Sequence, residues 1–442
     1  MQKNISYKQI GKLALPIIAA QSVVLINGMI DLAFIAPYGT EAIAAVSIAN
    51  ALCATLFNFL EGFRLGTTVL ISEASATNNL VKATSVINSG LCLIAMIGSV
   101  FIVFAPHISY WVYRITGNQQ MAYHGTTYLT VWLWAFPLIL LSYVLVGLFR
   151  GLHDTATPLY STLAICLLNI LFDYALVGNG FGIPSLGVKG AAWGTLLANL
   201  AGVIIMIFLV AKKPLTRQYI NFRQPFVKQV REYISLAADI GLNTGSTLLA
   251  LLLFVCMMKP LGPAALAVHQ ITLQVFNFTY LTAIGFLITA SIIVPRLLIN
   301  QQEPLFLSTV SRIGKMSFSV ALVISGLLFI SSSNIGNFFS PTDKLVAAQA
   351  AQTIKLVCAG QLFSSIYMVL RGTLTACKDT RFIVYEGWVS GYLVFLPLAY
   401  LWAVKAGYGI YGGYAAFLVW CMTDCTALAC RFFLRNRCSK GR

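Results

Sequence analysis

Twelve stretches of mostly apolar residues run through this chain, at roughly 12–37, 41–72, 82–106, 125–150, 157–178, 188–211, 232–258, 264–295, 311–332, 345–372, 381–404 and 410–434. A helix that crosses a bilayer needs about 20 such residues. Inside lipid only helices and closed barrels satisfy every backbone group, and stretches of this length predict helices. A soluble domain carries about a quarter charged residues, whereas here the share is 10% against 58% hydrophobic. The expected fold class is an all-α integral membrane protein with twelve transmembrane helices.

The stretches fall six and six around a basic segment at 212–231, and the sequence repeats itself across that segment. Gly39-Thr40-Glu41-Ala42-Ile43-Ala44-Ala45 returns in looser form as Gly262-Pro263-Ala264-Ala265-Leu266-Ala267-Val268. Arg150-Gly151 with Asp154-Thr155 returns as Arg371-Gly372 with Asp379-Thr380, and Gly187-Val188-Lys189-Gly190 as Gly409-Ile410-Tyr411-Gly412. The offsets, 223, 225 and 222, nearly agree and keep one order. An even number of spans in each half makes the repeat parallel. The expected organisation is an N-lobe at 1–211 (helices 1–6), a cytoplasmic connector at 212–231 and a C-lobe at 232–442 (helices 7–12). Two such six-helix lobes around a central cavity are the build of a transporter.

A net charge of +16 invites a nucleic-acid reading, but position explains it better. With both termini cytoplasmic, 22 of the 29 Lys and Arg residues fall on cytoplasmic segments, six of them in 212–231. That is the positive-inside asymmetry of a multi-pass protein of the cell inner (plasma) membrane, and no nucleic-acid partner is expected. The polar, basic start through Lys12 and the long apolar stretch after it do not read as a cleavable signal. Most of the ten cysteines sit inside apolar spans without a CxxC pair, which reads as packing rather than metal or disulfide chemistry.

Ionisable groups inside a membrane are costly and are functional candidates. The spans contain Asp31, Glu61, Arg64, Asp173, Asp239, Lys355, Glu386 and Asp424. Glu61 and Arg64 are three apart on one helix face and can neutralise each other. Asp239, Glu386 and Asp424 are expected within a few turns of a membrane face, in reach of water. Asp31 lies deep in the first span with no basic neighbour in sequence. Asn169 and Asp173 are four apart and share one face of the fifth helix. Such oxygens can ligate a hard cation, with the hydroxyl of Thr195 added, or hold a carboxyl proton; alternatively each is a hydrogen-bonded packing group. Pro16, fifteen residues before Asp31, can kink the same span, as a moving element or a static bend.

Taken together, these residues resemble a family. Leu13-Ala14-Leu15-Pro16-Ile17, Met29-Ile30-Asp31, the segment at Gly39, Gly151 with Asp154 and Thr157-Pro158, Asn169-Ile170-Leu171-Phe172-Asp173 and Gly187-Val188-Lys189-Gly190-Ala191-Ala192 resemble a multidrug and toxic compound extrusion (MATE) transporter. Phe63-Arg64-Leu65-Gly66-Thr67-Thr68, and Asp239 where Pro16 stands in the first half, resemble its DinF-like branch. The resemblance implies a secondary active exporter working by alternating access. It would exchange amphipathic or cationic organic compounds for inward-moving H+ or Na+. Asp31, Asn169, Asp173 and Thr195 match the family's N-lobe cation site, Pro16 its bending proline, and Asp239 a residue for substrate contact. No cofactor is implied beyond the coupling ion, and no metal beyond Na+ at those four residues.

The eighth span at Ala283–Ser291 and the tenth between Leu345 and Arg371 lack the acids that many relatives have there. Coupling is therefore expected in the N-lobe alone, with Asp239, Glu386 and Asp424 tolerating amides. The C-half spans instead contain Phe276, Phe278, Tyr280, Tyr367, Trp388, Tyr392 and Trp420. Aromatic faces can hold flat or cationic compounds, or form interfacial belts. The competing readings are a flippase for a lipid-linked saccharide from the same superfamily and a non-transporting membrane scaffold. An enzyme is not expected: there is no HExxH, GxSxG or His-rich constellation, and His269 on an apolar helix reads as packing. The expected partners are membrane lipids and small organic substrates, and the expected state is a monomer.

Overall fold

The computed structural model describes residues 5–115, 119–182, 184–219, 227–299, 303–341 and 343–439. Those residues form helices and turns without a strand, and twelve helical segments are long and apolar enough to span a membrane. They are α1 (Tyr7–Tyr38), α2 (Glu41–Ala76), α3 (Leu80–Arg114), α4 (Gly125–Gly151), α5 (Ala156–Leu176) and α6 (Val188–Lys212). The second set is α7 (Val230–Leu261), α8 (Pro263–Ile299), α9 (Leu305–Ile330), α10 (Lys344–Ala376), α11 (Thr380–Lys405) and α12 (Gly409–Arg435). The all-α fold and the twelve spans expected from apolar length are both present. Of the basic connector, residues 220–226 lie outside those described.

The repeat is also written in the backbone. Gly39 and Gly262, which open the first matched segments, have φ of +97° and +91°. Gly187 and Gly409 stand at +58° and +59°, and His153 and Lys378 at +66° and +59°. A left-handed backbone is costly for a residue with a Cβ, so its return at His153 and Lys378 marks one tight turn used twice.

Each of those turns presents an aspartate to the last span of its half. Asp154 accepts a hydrogen bond from Lys213 Nζ at 2.6 Å, just past the end of α6, and caps the start of α5 through Thr157 N at 3.0 Å and Thr157 Oγ1 at 2.7 Å. Asp379 accepts from Arg431 Nε at 2.8 Å and Nη2 at 3.1 Å, near the end of α12, with Arg435 at 3.5 Å. Burial pushes the Asp154 carboxyl up, but the bonds from Lys213 and Thr157 outweigh it and hold the group below its ordinary value of 3.8. The stabilisation is thus complete above that ordinary value and is lost as pH falls through the lowered one. Asp154→Ala should destabilise the protein by about 1 kcal/mol at neutral pH, with the difference from the parent vanishing in strong acid. Thermal unfolding of both proteins across pH checks this.

By packing, the chain forms two compact units: Ala19–Gly241, and Met1–Ile18 with Leu242–Arg442. The boundaries fall inside α1 and α7, so the beginning of each of these helices packs in a different unit from the rest of it. The beginning of α1 packs in the second unit, where Gly285 of α8 lies against Ile18 and Ala14. The beginning of α7 packs in the first: Gly62 of α2 lies against the Ala237 carbonyl, and Gly241 of α7 against the Phe59 carbonyl. Lipid tails are as apolar as leucine, so small residues that let backbones touch drive such packing. The first unit's aromatic core centres on Phe136, stacked on Phe57 at 4.9 Å. The second centres on Phe395, stacked on Trp420 at 4.6 Å. His269 is buried there, with Nδ1 bonded to the Tyr414 hydroxyl at 2.9 Å, which is a packing role.

One span is irregular. Helix α11 widens into π turns at Val389–Phe395 and again at Leu401–Lys405. Such turns loosen the ladder locally and often accompany function.

Candidate cation site

Within the first unit, α1 and α5 each present an asparagine and an aspartate four residues apart, on one helix face: Asn27 and Asp31, Asn169 and Asp173. The amides tie the helices together. Asn27 Nδ2 donates to Asn169 Oδ1 at 2.5 Å and to the two Asp31 oxygens at 3.3 and 3.4 Å. Asn169 Nδ2 donates to Asp173 Oδ2 at 3.5 Å. The Asp31 and Asp173 carboxyls come within hydrogen-bonding reach of each other. A bond between two carboxyls exists only if one of them holds a proton, or if a cation bridges them.

Two oxygens of this group are buried without a donor, Asn27 Oδ1 and Asp173 Oδ1. An orphaned buried acceptor costs about 1–3 kcal/mol, a cost that a positive ion bound beside it would offset. Room for Asp173 comes from α6, where Gly194 stands so close that a Cβ would fall on Asp173 Oδ1. Tyr128 of α4, buried, stands near enough to both carboxyls to feel their charge. The donor set is carboxylate and amide oxygen, the chemistry that suits H+ or a hard cation such as Na+. Among the described residues no group of three or more His, Cys, Asp and Glu side chains could hold a transition metal.

The structure therefore brings Asp31, Asn169 and Asp173 together. Thr195 lies on α6 beside Gly194, but its hydroxyl donates to the Ala191 carbonyl of its own helix at 3.0 Å. Asn27, Tyr128 and Gly194 are additions that the sequence reading lacked. Asn27 had a signal, since its spacing to Asp31 repeats that of Asn169 to Asp173. Pro16 sits inside α1, two residues before the point where the helix passes from one unit to the other.

Elsewhere, Glu61 and Arg64 pair at 2.6 Å, with the guanidinium over the Tyr143 ring, as their spacing suggested. Asp239 is half-buried on α7. Among the C-half aromatics, Tyr367 and Trp420 are buried and Phe276 stacks on Tyr280 at 5.2 Å. Tyr392 donates to the Ser246 carbonyl at 2.8 Å, while Phe278 and Trp388 are exposed. Glu386 stands near the start of α11, as expected, but is 7% exposed and packed among α7, α10 and α12.

Comparison with known proteins places the whole chain. The family model described as MatE matches residues 16–175 and again 241–401, one copy in each half of the repeat. The chain is 24% identical over 446 residues to a probable multidrug resistance protein NorM of Agrobacterium fabrum, covering 96% of this chain and 92% of that protein. Crystal structures of MATE in the bent and in the straight conformation each match with a TM-score of 0.90 at 16% identity. Each covers 98% of this chain; the shares of those chains are 96% and 97%. With both halves matched in order, the chain is a multi-pass membrane protein that belongs to the MATE family of transporters.

Proposed function

We propose that this protein is a secondary active multidrug exporter of the DinF-like branch. It expels amphipathic or cationic organic compounds by alternating access, in exchange for H+ or Na+ entering through the site on α1 and α5. The observation that carries the reading is the facing pair of carboxyls, Asp31 and Asp173, beside which Asn27 Oδ1 and Asp173 Oδ1 are buried without a donor. An ion bound there with different affinity in two access states drives the transition between them; equal affinity shifts nothing. Pro16, in α1 ahead of the site, supplies the bend that couples ion binding to helix shape. The N-lobe at 1–211 holds this site and the C-lobe at 232–442 offers aromatic substrate surface, with Asp239 as a further contact. In the plasma membrane both termini face the cytoplasm, in accord with the Lys and Arg asymmetry.

The test is transport of a fluorescent organic cation in proteoliposomes, with pH and Na+ gradients imposed one at a time. Either gradient alone should drive uphill movement at several times the rate seen without a gradient. Equal rates with and without each gradient would overturn the reading.

A further inference from the structure

The second unit contains another pair of acids, Glu386 buried and Asp424 half-buried, on helices the first site does not use. Glu386 of α11 and Asp424 of α12 bring their carboxyls within hydrogen-bonding reach of each other. Glu386 is 7% exposed, and neither of its oxygens has a donor; Asp424 Oδ1 is buried and donorless as well. Three carboxyl oxygens without a hydrogen-bond partner in one place carry a cost, and among the described residues only Ser390 and, for Asp424, the Trp420 indole stand within reach as neutral donors.

The surroundings define what fits. Arg371 of α10, 6% exposed, is close enough for its charge to act on both acids, but Nη2 donates to Thr244 Oγ1 at 2.8 Å. Tyr367 of α10 also faces the pair, and Cys421 and Cys425 flank Asp424 on its own helix. On the far side, Asn243 of α7 donates to the Ile383 carbonyl at 2.9 Å and abuts Gly387. The π turn of α11 starts three residues after Glu386, and within it Ser390 accepts from the Trp420 indole at 3.1 Å. Two ionised carboxylates against one guanidinium leave a net negative charge in a dry place, which is costly; one added positive charge makes the cluster neutral. A metal cation needs a shell of several oxygens. A proton needs only the two carboxyls.

We propose that Glu386 and Asp424 form a second proton-binding site, in which the two carboxyls share one proton beside Arg371. The proton comes from water and returns to water, and no bond between heavy atoms changes. This goes beyond the coupling site on α1 and α5, does not depend on it, and replaces the expectation that the C-half acids are idle.

Infrared spectroscopy of the purified protein tests it without substrate or gradient, so the result stands apart from any failure of the transport reading. A protonated carboxyl has a C=O stretch distinct from that of a carboxylate. The parent at neutral pH should show such a band that moves when glutamate is labelled with 13C at the side-chain carboxyl. A site made of Asp31 and Asp173 cannot give a glutamate-sensitive band. In Glu386→Gln the band should be lost, and in Asp424→Asn shifted in frequency. If those variants do not fold, Glu386→Asp should move the band from the glutamate label to the aspartate label. Absence of a glutamate-sensitive band in the parent, or spectra unchanged by the substitutions, would overturn the proposal.

Discussion

Asp31→Asn and Asp173→Asn each reduce gradient-driven efflux by roughly 100-fold or more, while the protein remains folded and inserted. The amide keeps the shape of the side chain and one acceptor oxygen but removes the charge that holds a cation. Asp173 has no exposed surface and an orphaned Oδ1, so its amide leaves nothing for the ion to neutralise. Asp31 is partly exposed and receives two bonds from Asn27, and its amide uncouples by removing the other half of the pair. Energy-independent binding of the organic cation, measured in detergent, should survive in both variants. That separates loss of coupling from loss of substrate. Full gradient-driven efflux in both variants would show that the carboxyl pair is structural.

Gly62→Val and Gly241→Val should lower the unfolding temperature more than any surface change, because each drives a side chain into backbone. A Cβ at Gly62 falls on the Ala237 carbonyl oxygen, and one at Gly241 on the Phe59 carbonyl oxygen. The two contacts interlock α2 and α7 from both directions, so neither helix can yield by tilting away from one of them. Overpacking of this kind costs about 1–3 kcal/mol where side chains can adjust; here the obstacle is main chain, and the upper end is expected. As a control, Gly314→Val on α9 meets nothing within 4 Å and should leave the midpoint almost unchanged. Equal midpoints for Gly62→Val and Gly314→Val would show that α2 and α7 do not pack as described.

The helices were legible because apolar length is a property of the sequence alone, and lipid leaves the backbone no alternative. The repeat was legible for a similar reason, since turn residues such as Gly39 and Gly262 are fixed by the backbone angles they must adopt. Asn169 with Asp173 could be read as one helix face, and Asn27 with Asp31 has the same spacing, so that half of the site lay within reach of periodicity. Gly194 did not. A glycine on a helix says nothing by itself, and its part depends on which neighbour needs the space. Glu386 and Asp424 lie on different helices and meet only through the packing of α11 on α12. Their place near the span ends suggested water; packing encloses Glu386, while Asp424 stays partly exposed. The π turns of α11 have no marker in composition.

Because the boundaries of the two units fall inside α1 and α7, assembly in the cell cannot run half by half. Residues 1–18 are synthesised long before their own unit resumes at Leu242. Through that interval the first turns of α1 sit in the bilayer without the partners they finally contact on α8, and lipid must stand in for them. The first unit, conversely, stays incomplete until the chain has passed the connector and delivered the stretch of α7 ending at Gly241. The first unit is therefore complete in sequence once Gly241 has been delivered, while residues 1–18 wait for Leu242–Arg442 to follow.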